Sequence, residues 1–113
     1  MFVEYPTGSG STVLTLISAL QSIDPAVKEC QVLILCPTRE RAQATRDIEA
    51  KIGQKMDLKV AEIVGGRPMK VQEEVLKKGA SLVIGTPGRT YDLLERGSLK
   101  LEHLKLLIVQ DCM

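Results

Sequence analysis

The chemistry-bearing residues of this chain begin in Thr7-Gly8-Ser9-Gly10-Ser11-Thr12, preceded by Tyr5-Pro6. A short apolar run, Phe2-Val3, comes before this loop, and a helical apolar pattern, Val13 to Leu20, follows it. Strand, glycine-rich loop and helix in that order form a phosphate cradle. Glycine lets the backbone approach an anion, and the first helical N–H groups point at it. The stretch approaches the pattern G-x-x-x-x-G-K-[ST], with Thr12 placed to hold a magnesium ion. It departs from that pattern at Ser11, which stands where the lysine should be, and at Tyr5, which stands where the first glycine should be. On this stretch alone, a phosphate cradle and a glycine-serine turn that caps a helix stand side by side.

Further candidates sit in Pro37-Thr38-Arg39, Gly65-Gly66-Arg67, Thr86-Pro87-Gly88-Arg89 and at Asp111. Threonine can cap a helix whose free N–H groups face a phosphate. Arginine adds a planar fork that matches phosphate oxygens. Paired glycines admit a close backbone. Cysteine and histidine suggest no metal chemistry. Cys30, Cys36 and Cys112 lack C-x-x-C spacing, and His103 has no second histidine or cysteine nearby, so it is expected on the surface in a short turn. Cys36 ends an apolar run and is expected in the core.

The elements that must position these groups alternate. Helical spacing runs from Thr12 to Gln21, with Val13, Leu16, Ile17 and Leu20 on one face, and Asp24-Pro25 breaks it. Gln31 to Cys36 is a buried strand of the kind found in parallel sheets. A helix is predicted from Arg39 to Ile52, with Ala42, Thr45, Ile48 and Ile52 inward and Gly53 as its stop. Leu58 to Val64 is a strand whose Lys59 and Glu62 place it near an edge. Pro68 starts a helix at its first position, with Val71 and Val75 inward, ending at Gly79. Ser81 to Ile84 is a strand, Arg89 to Arg96 a helix stopped at Gly97, and Leu104 to Val109 a last buried strand. Such alternation predicts an α/β domain with a mainly parallel sheet. Ligands of these sheets gather at the carboxyl ends of strands, where all the candidate loops fall.

Composition sets bounds. A chain of 113 residues is enough for one small domain, and 44% hydrophobic with 26% charged residues is ordinary for a globular one. A net charge of +1 makes no global demand for a nucleic-acid partner, so anion binding must be local. No run approaches the ~18 apolar residues of a membrane span, and no secretory signal is visible, so no membrane partner is expected. The odd cysteine count suits a reducing compartment, cytoplasmic or nuclear.

Taken together, the ordered motifs Thr7-Gly8-Ser9-Gly10-x-Thr12, Pro37-Thr38-Arg39-Glu40-x-Ala42, Gly65-Gly66, Thr86-Pro87-Gly88-Arg89 and Asp111 resemble those of DEAD-box RNA helicases. They match the first RecA-like domain, from the phosphate loop to the start of the DEAD box, across residues 1–113. The resemblance implies a truncated RecA-like three-layer fold of the P-loop NTPase type. It implies ATP and Mg2+ as cofactors, with Thr7, Gly8, Ser9, Gly10, Ser11 and Thr12 on the nucleotide, and Thr12 with Asp111 on the metal. It also implies that Pro37, Thr38, Arg39, Gly65, Gly66, Thr86, Pro87, Gly88 and Arg89 hold the backbone of single-stranded RNA. Contacts of that kind give position and affinity without base sequence.

The departures bear on activity. Without the lysine replaced by Ser11, a charge-assisted bond of about 1.5–3 kcal/mol is lost, and nucleotide binding should weaken roughly tenfold or more. Cys112 replaces the DEAD-box glutamate, a loss on the order of 10²–10⁴ in rate. No catalytic residue is therefore expected, and Asp111 remains only as a magnesium-type aspartate. Arg41 replaces the leucine usual in the P-T-R-E-L-A motif, and is either exposed or part of the RNA-facing charge. The family's Q motif, S-A-T motif and second RecA-like domain are expected to be absent. The S-A-T strand would lie between the first and last strands here, so either the sheet has a central gap or those two strands pair directly. An open edge invites self-association or a partner strand. The functions implied are an RNA-backbone-binding helicase domain with weak ATP binding and little hydrolysis, or a non-enzymatic scaffold or decoy derived from one, or a piece of a longer helicase.

Overall fold

The computed structural model describes residues 2–5, 9–54 and 56–110, with side chains from residue 14 onward. Strands and helices alternate: β1 (Phe2–Tyr5), α1 (Ser9–Gln21), β2 (Val32–Leu35), α2 (Arg39–Ile52), β3 (Val60–Ile63), α3 (Met69–Lys78), β4 (Leu82–Gly85), α4 (Pro87–Glu95) and β5 (Leu106–Gln110). The strands form one five-stranded sheet in the order β1-β5-β2-β4-β3, and every ladder is parallel. Among the described residues no helix is long and apolar enough to cross a membrane.

Helices cover both faces, giving the three layers. One core layer joins Leu16, Ala19, Leu20 and Ile23 of the α1 region to Val32, Ile34, Leu82, Ile84 and Ile108 of the sheet, with Ala42 of α2. The other joins Leu33, Val83, Ala61 and Ile63 to Leu93 and Leu99. The strand residues alternate between the two layers, as the period-2 geometry of a strand requires. Their side chains are apolar on both faces because neither face meets water.

The first and last strands pair directly. β1 runs alongside β5 from Phe2↔Leu107 to Tyr5↔Gln110, so the sheet is continuous, with no central gap. Among the described strands, β1 and β3 are the edges of the sheet. β3, with Lys59 and Glu62, lies on the edge as its charges suggest.

Two helix faces differ from their spacing. In α1, Leu16 and Leu20 turn inward as expected, with Ala19 beside them, but Ile17 is 37% exposed. Val71 is 57% exposed and Val75 37%, whereas Gln72 is buried at 6%. The inward stripe of α3 is Met69, Gln72 and Leu76, an equally regular helical spacing that places a polar group inside. Pro68 precedes α3 as its cap residue and does not open it as the first helical residue. In α2, Ala42 and Thr45 are buried and Ile48 and Ile52 half-buried, as expected, but Glu49 is buried with them. Cys36 is fully buried.

Candidate nucleic-acid interface

The carboxyl ends of four strands finish in line. Ile63 of β3 pairs with Gly85 of β4, Gly85 with Leu35 of β2, and Leu35 with Val109 of β5. The loops that follow must therefore leave the sheet side by side. Backbone bonds carry the alignment one residue further: the Cys36 N–H donates to Gly85 O at 2.8 Å, and the Thr86 N–H donates to Ile63 O at 3.1 Å.

Each loop then enters a helix. Thr38 caps α2, its Oγ1 accepting from the Arg41 N–H at 3.1 Å. Thr86 occupies the cap position of α4 with extended backbone, but its side chain makes no capping bond, so the hydroxyl is not consumed by the helix. Pro87 fits the first turn of α4, where its missing N–H costs nothing. Gly66 has φ +80°, in the region that favours glycine, and a Cβ there would run into the Arg39 guanidinium. Arg39 thus lies directly against Gly66. Thr38, Arg39, Gly65, Gly66, Thr86 and Arg89 are brought together on one rim, as their order predicts.

Arginine supplies the charge of this rim. Arg39 and Arg41 are exposed and have no carboxylate partner among the described residues. Arg67 is committed to the protein, donating to Glu62 at 3.0 Å and to Gln43 at 3.1 Å, which ties β3 to α2. Arg89 donates through Nη1 to Arg67 O at 2.9 Å and to Gln72 Oε1 at 2.8 Å. Both acceptors are neutral, so the full charge of Arg89 persists.

A second junction lies beneath the rim. Thr45 Oγ1 donates to Arg41 O at 2.9 Å and accepts from Gln110 Nε2 at 2.9 Å and from Cys36 Sγ at 3.8 Å. One donor and two acceptor sites are all a hydroxyl has, so Thr45 is saturated. It joins the ends of β2 and β5 to α2. Gln110 Oε1 is buried with no partner among the described residues. Gln72, Thr45, Gln43 and Gln110 form no recognisable motif, and their roles rest on partners distant in sequence.

The expected nucleotide and metal groups Thr7, Gly8 and Asp111 lie outside the described residues, as does Cys112. Ser9, Gly10, Ser11 and Thr12 fall in the first turn of α1, a helix of 13 residues, and only their backbone element is described. A helix N-terminus suits a phosphate.

The opposite end of the sheet carries a cleft of about 660 Å³, lined by Glu29, Cys30, Glu73, Ala80 and Leu99 among others. None of the motif loops reaches it. At its edge Glu29, Glu102 and His103 bring ligand atoms within 4.8 Å of one another, all three exposed. His103 is thus a surface residue in a turn, as expected, but with carboxylates beside it that its sequence neighbourhood alone does not show.

This fold, with its loops gathered at the carboxyl ends, is that of a RecA-like domain. The family profile described as DEAD/DEAH box helicase matches residues 1–112, and the chain belongs to that family. Among curated relatives, the ATP-dependent RNA helicase eIF4A of Aspergillus oryzae is 42% identical over 98% of this chain and 26% of its own length. The eukaryotic initiation factor 4A of Cryptosporidium parvum is 40% identical over 93% of this chain and 26% of its own. The chain therefore spans about a quarter of the length of these relatives. The solved structure of S. cerevisiae Dbp5 bound to RNA and ADP BeF3 superposes with a TM-score of 0.79, at 23% identity, over 96% of this chain and 27% of that one. That likeness is one of fold.

Proposed function

We propose that this chain is the RNA-backbone-binding part of a DEAD-box helicase domain, with a weakened ATP site. The observation that carries the reading is the packing of Arg39 against Gly66 and of Arg89 against the following carbonyl. Three loops thereby present two cations, a free threonine hydroxyl and a capped helix N-terminus on one rim. The contacts available are to phosphates, so binding should be indifferent to base sequence.

ATP and Mg2+ would sit at the N-terminus of α1, held by residues 7–12 with Thr12 and Asp111 toward the metal. When bound, the nucleotide supplies the phosphoanhydride chemistry of the family. This chain's own contribution is limited to binding, because Ser11 offers no cation and Cys112 no carboxylate. Negligible hydrolysis is the expected outcome. Unwinding would need a second domain.

The test is filter binding of single-stranded RNA over a range of salt. Affinity should fall with a log–log slope of about −0.7 per phosphate neutralised. Arg39→Ala and Arg89→Ala should each weaken binding and flatten the slope by roughly that amount. Unchanged affinity in both variants would overturn the reading and favour a scaffold role.

A further inference from the structure

Arg89 carries charge to the rim, but an arginine on a helix can point in many directions. What fixes it lies on α3. Gln72 is a buried amide at the middle of the inward stripe of that helix. Its Nε2 donates to Val64 O at 3.0 Å, and its Oε1 accepts from Arg89 Nη1 at 2.8 Å. Turning the amide over would set like against like at both ends, so its orientation is determined.

The consequence for Arg89 is geometric. Nη1 has two hydrogens, and they are used by Gln72 Oε1 and Arg67 O. The Nε–Nη2 edge has no partner among the described residues. That edge carries two parallel N–H groups, the fork that engages a phosphate bidentately. Val64 immediately precedes Gly65-Gly66, and Arg89 closes Thr86-Pro87-Gly88-Arg89. One buried amide thus joins the loop after β3 to the helix after β4.

We infer that Gln72 is a positioning residue for RNA binding: anchored on the Val64 carbonyl, it holds the Arg89 fork outward. The inference rests on the RNA-backbone reading above and deepens it.

The experiment measures the affinity of the whole chain for a short fluorescein-labelled oligouridylate, by anisotropy, in four variants. Arg89→Ala tests the reading itself and should weaken binding. Gln72→Met fills the same space without either hydrogen bond and should weaken binding roughly three- to tenfold. Gln72→Glu keeps an acceptor for Arg89 but sets a negative charge against it and loses the bond to Val64 O, so it should weaken binding at least as much as Gln72→Met. Gln72→Met added to Arg89→Ala should cost no more than about a further twofold, since the residue acts through Arg89. If Arg89→Ala is silent, the RNA reading fails. If Arg89→Ala weakens binding but Gln72→Met does not, or Gln72→Met costs as much without Arg89, or Gln72→Glu binds as tightly as the unsubstituted chain, the inference is overturned. Should Gln72→Met not fold, NMR of guanidinium rotation in the unsubstituted chain decides. Rotation at Arg89 slower than at exposed Arg41 supports the clamp, and equal rates overturn it.

Discussion

Gly85 ends β4 at the point where three strands are cinched together, and replacing it with alanine tests that arrangement. An ideal Cβ on Gly85 would stand 2.7 Å from Ile63 O and 2.7 Å from Thr90 Oγ1, well inside the 3.4–4 Å of ordinary contact. It would also run into Ile63 Cγ1; one of these three atoms is backbone of β3 and two belong to buried side chains, so none can swing aside freely. Overpacking of this kind costs about 1–3 kcal/mol. For a chain of this size that corresponds to roughly 4–12 °C in melting temperature. Gly85 O also receives the Cys36 N–H, and Ile63 O receives the Thr86 N–H, so the strain falls on the roots of two rim loops. RNA affinity should drop together with stability. Gly88→Ala is the internal comparison. Gly88 lies in the first turn of α4, is exposed, has nothing within 4 Å of its notional Cβ, and does not have a positive φ. That change should stabilise by about 0.4–1 kcal/mol through the unfolded chain. Urea melts followed by circular dichroism would measure both. An unfolding midpoint for Gly85→Ala equal to that of the parent chain, or an equal loss in Gly88→Ala, would refute the reasoning.

Glu49 is buried on α2 beside Arg46, at 2.6 Å, and burial raises its carboxyl pKa above the ordinary value of 4.5 while Arg46 pulls the other way. The folded state therefore holds the proton more tightly than the unfolded one, and stability falls as pH rises from about that value through the raised pKa. Glu49→Gln should accordingly melt higher than the parent at neutral pH, with the advantage vanishing in acid, as read by thermal melts across that range. Burial pushes the Cys30 thiol up to about 12 and the Cys36 thiol up to about 11. Both should resist alkylation by iodoacetamide at neutral pH until the chain unfolds, as peptide mass mapping would show. Unfolded thiols ionise first on raising the pH, so these two groups also contribute a stability loss that begins near pH 9 and runs to the raised values.

The sequence alone determined the alternation of strand and helix, the parallel sheet, the edge position of β3 and the loops that form the rim. Those features are local. A run such as Val32-Leu33-Ile34-Leu35 suits a strand buried on both faces, and Thr38, Gly66 and Pro87 each fit one backbone geometry regardless of what lies across the fold. Tertiary structure alone decided which stripe of α3 turned inward, because Val71/Val75 and Met69/Gln72/Leu76 are equally good helical spacings. Gln72 wins that place by finding Val64 O and the Arg89 guanidinium, partners eight and 17 positions away. The same holds for Thr45, whose hydroxyl meets Gln110 across 65 positions, and for β1, whose pairing with β5 joins the two ends of the chain. A polar group can be buried only where its hydrogen bonds are met, and those partners become neighbours only after the sheet has formed.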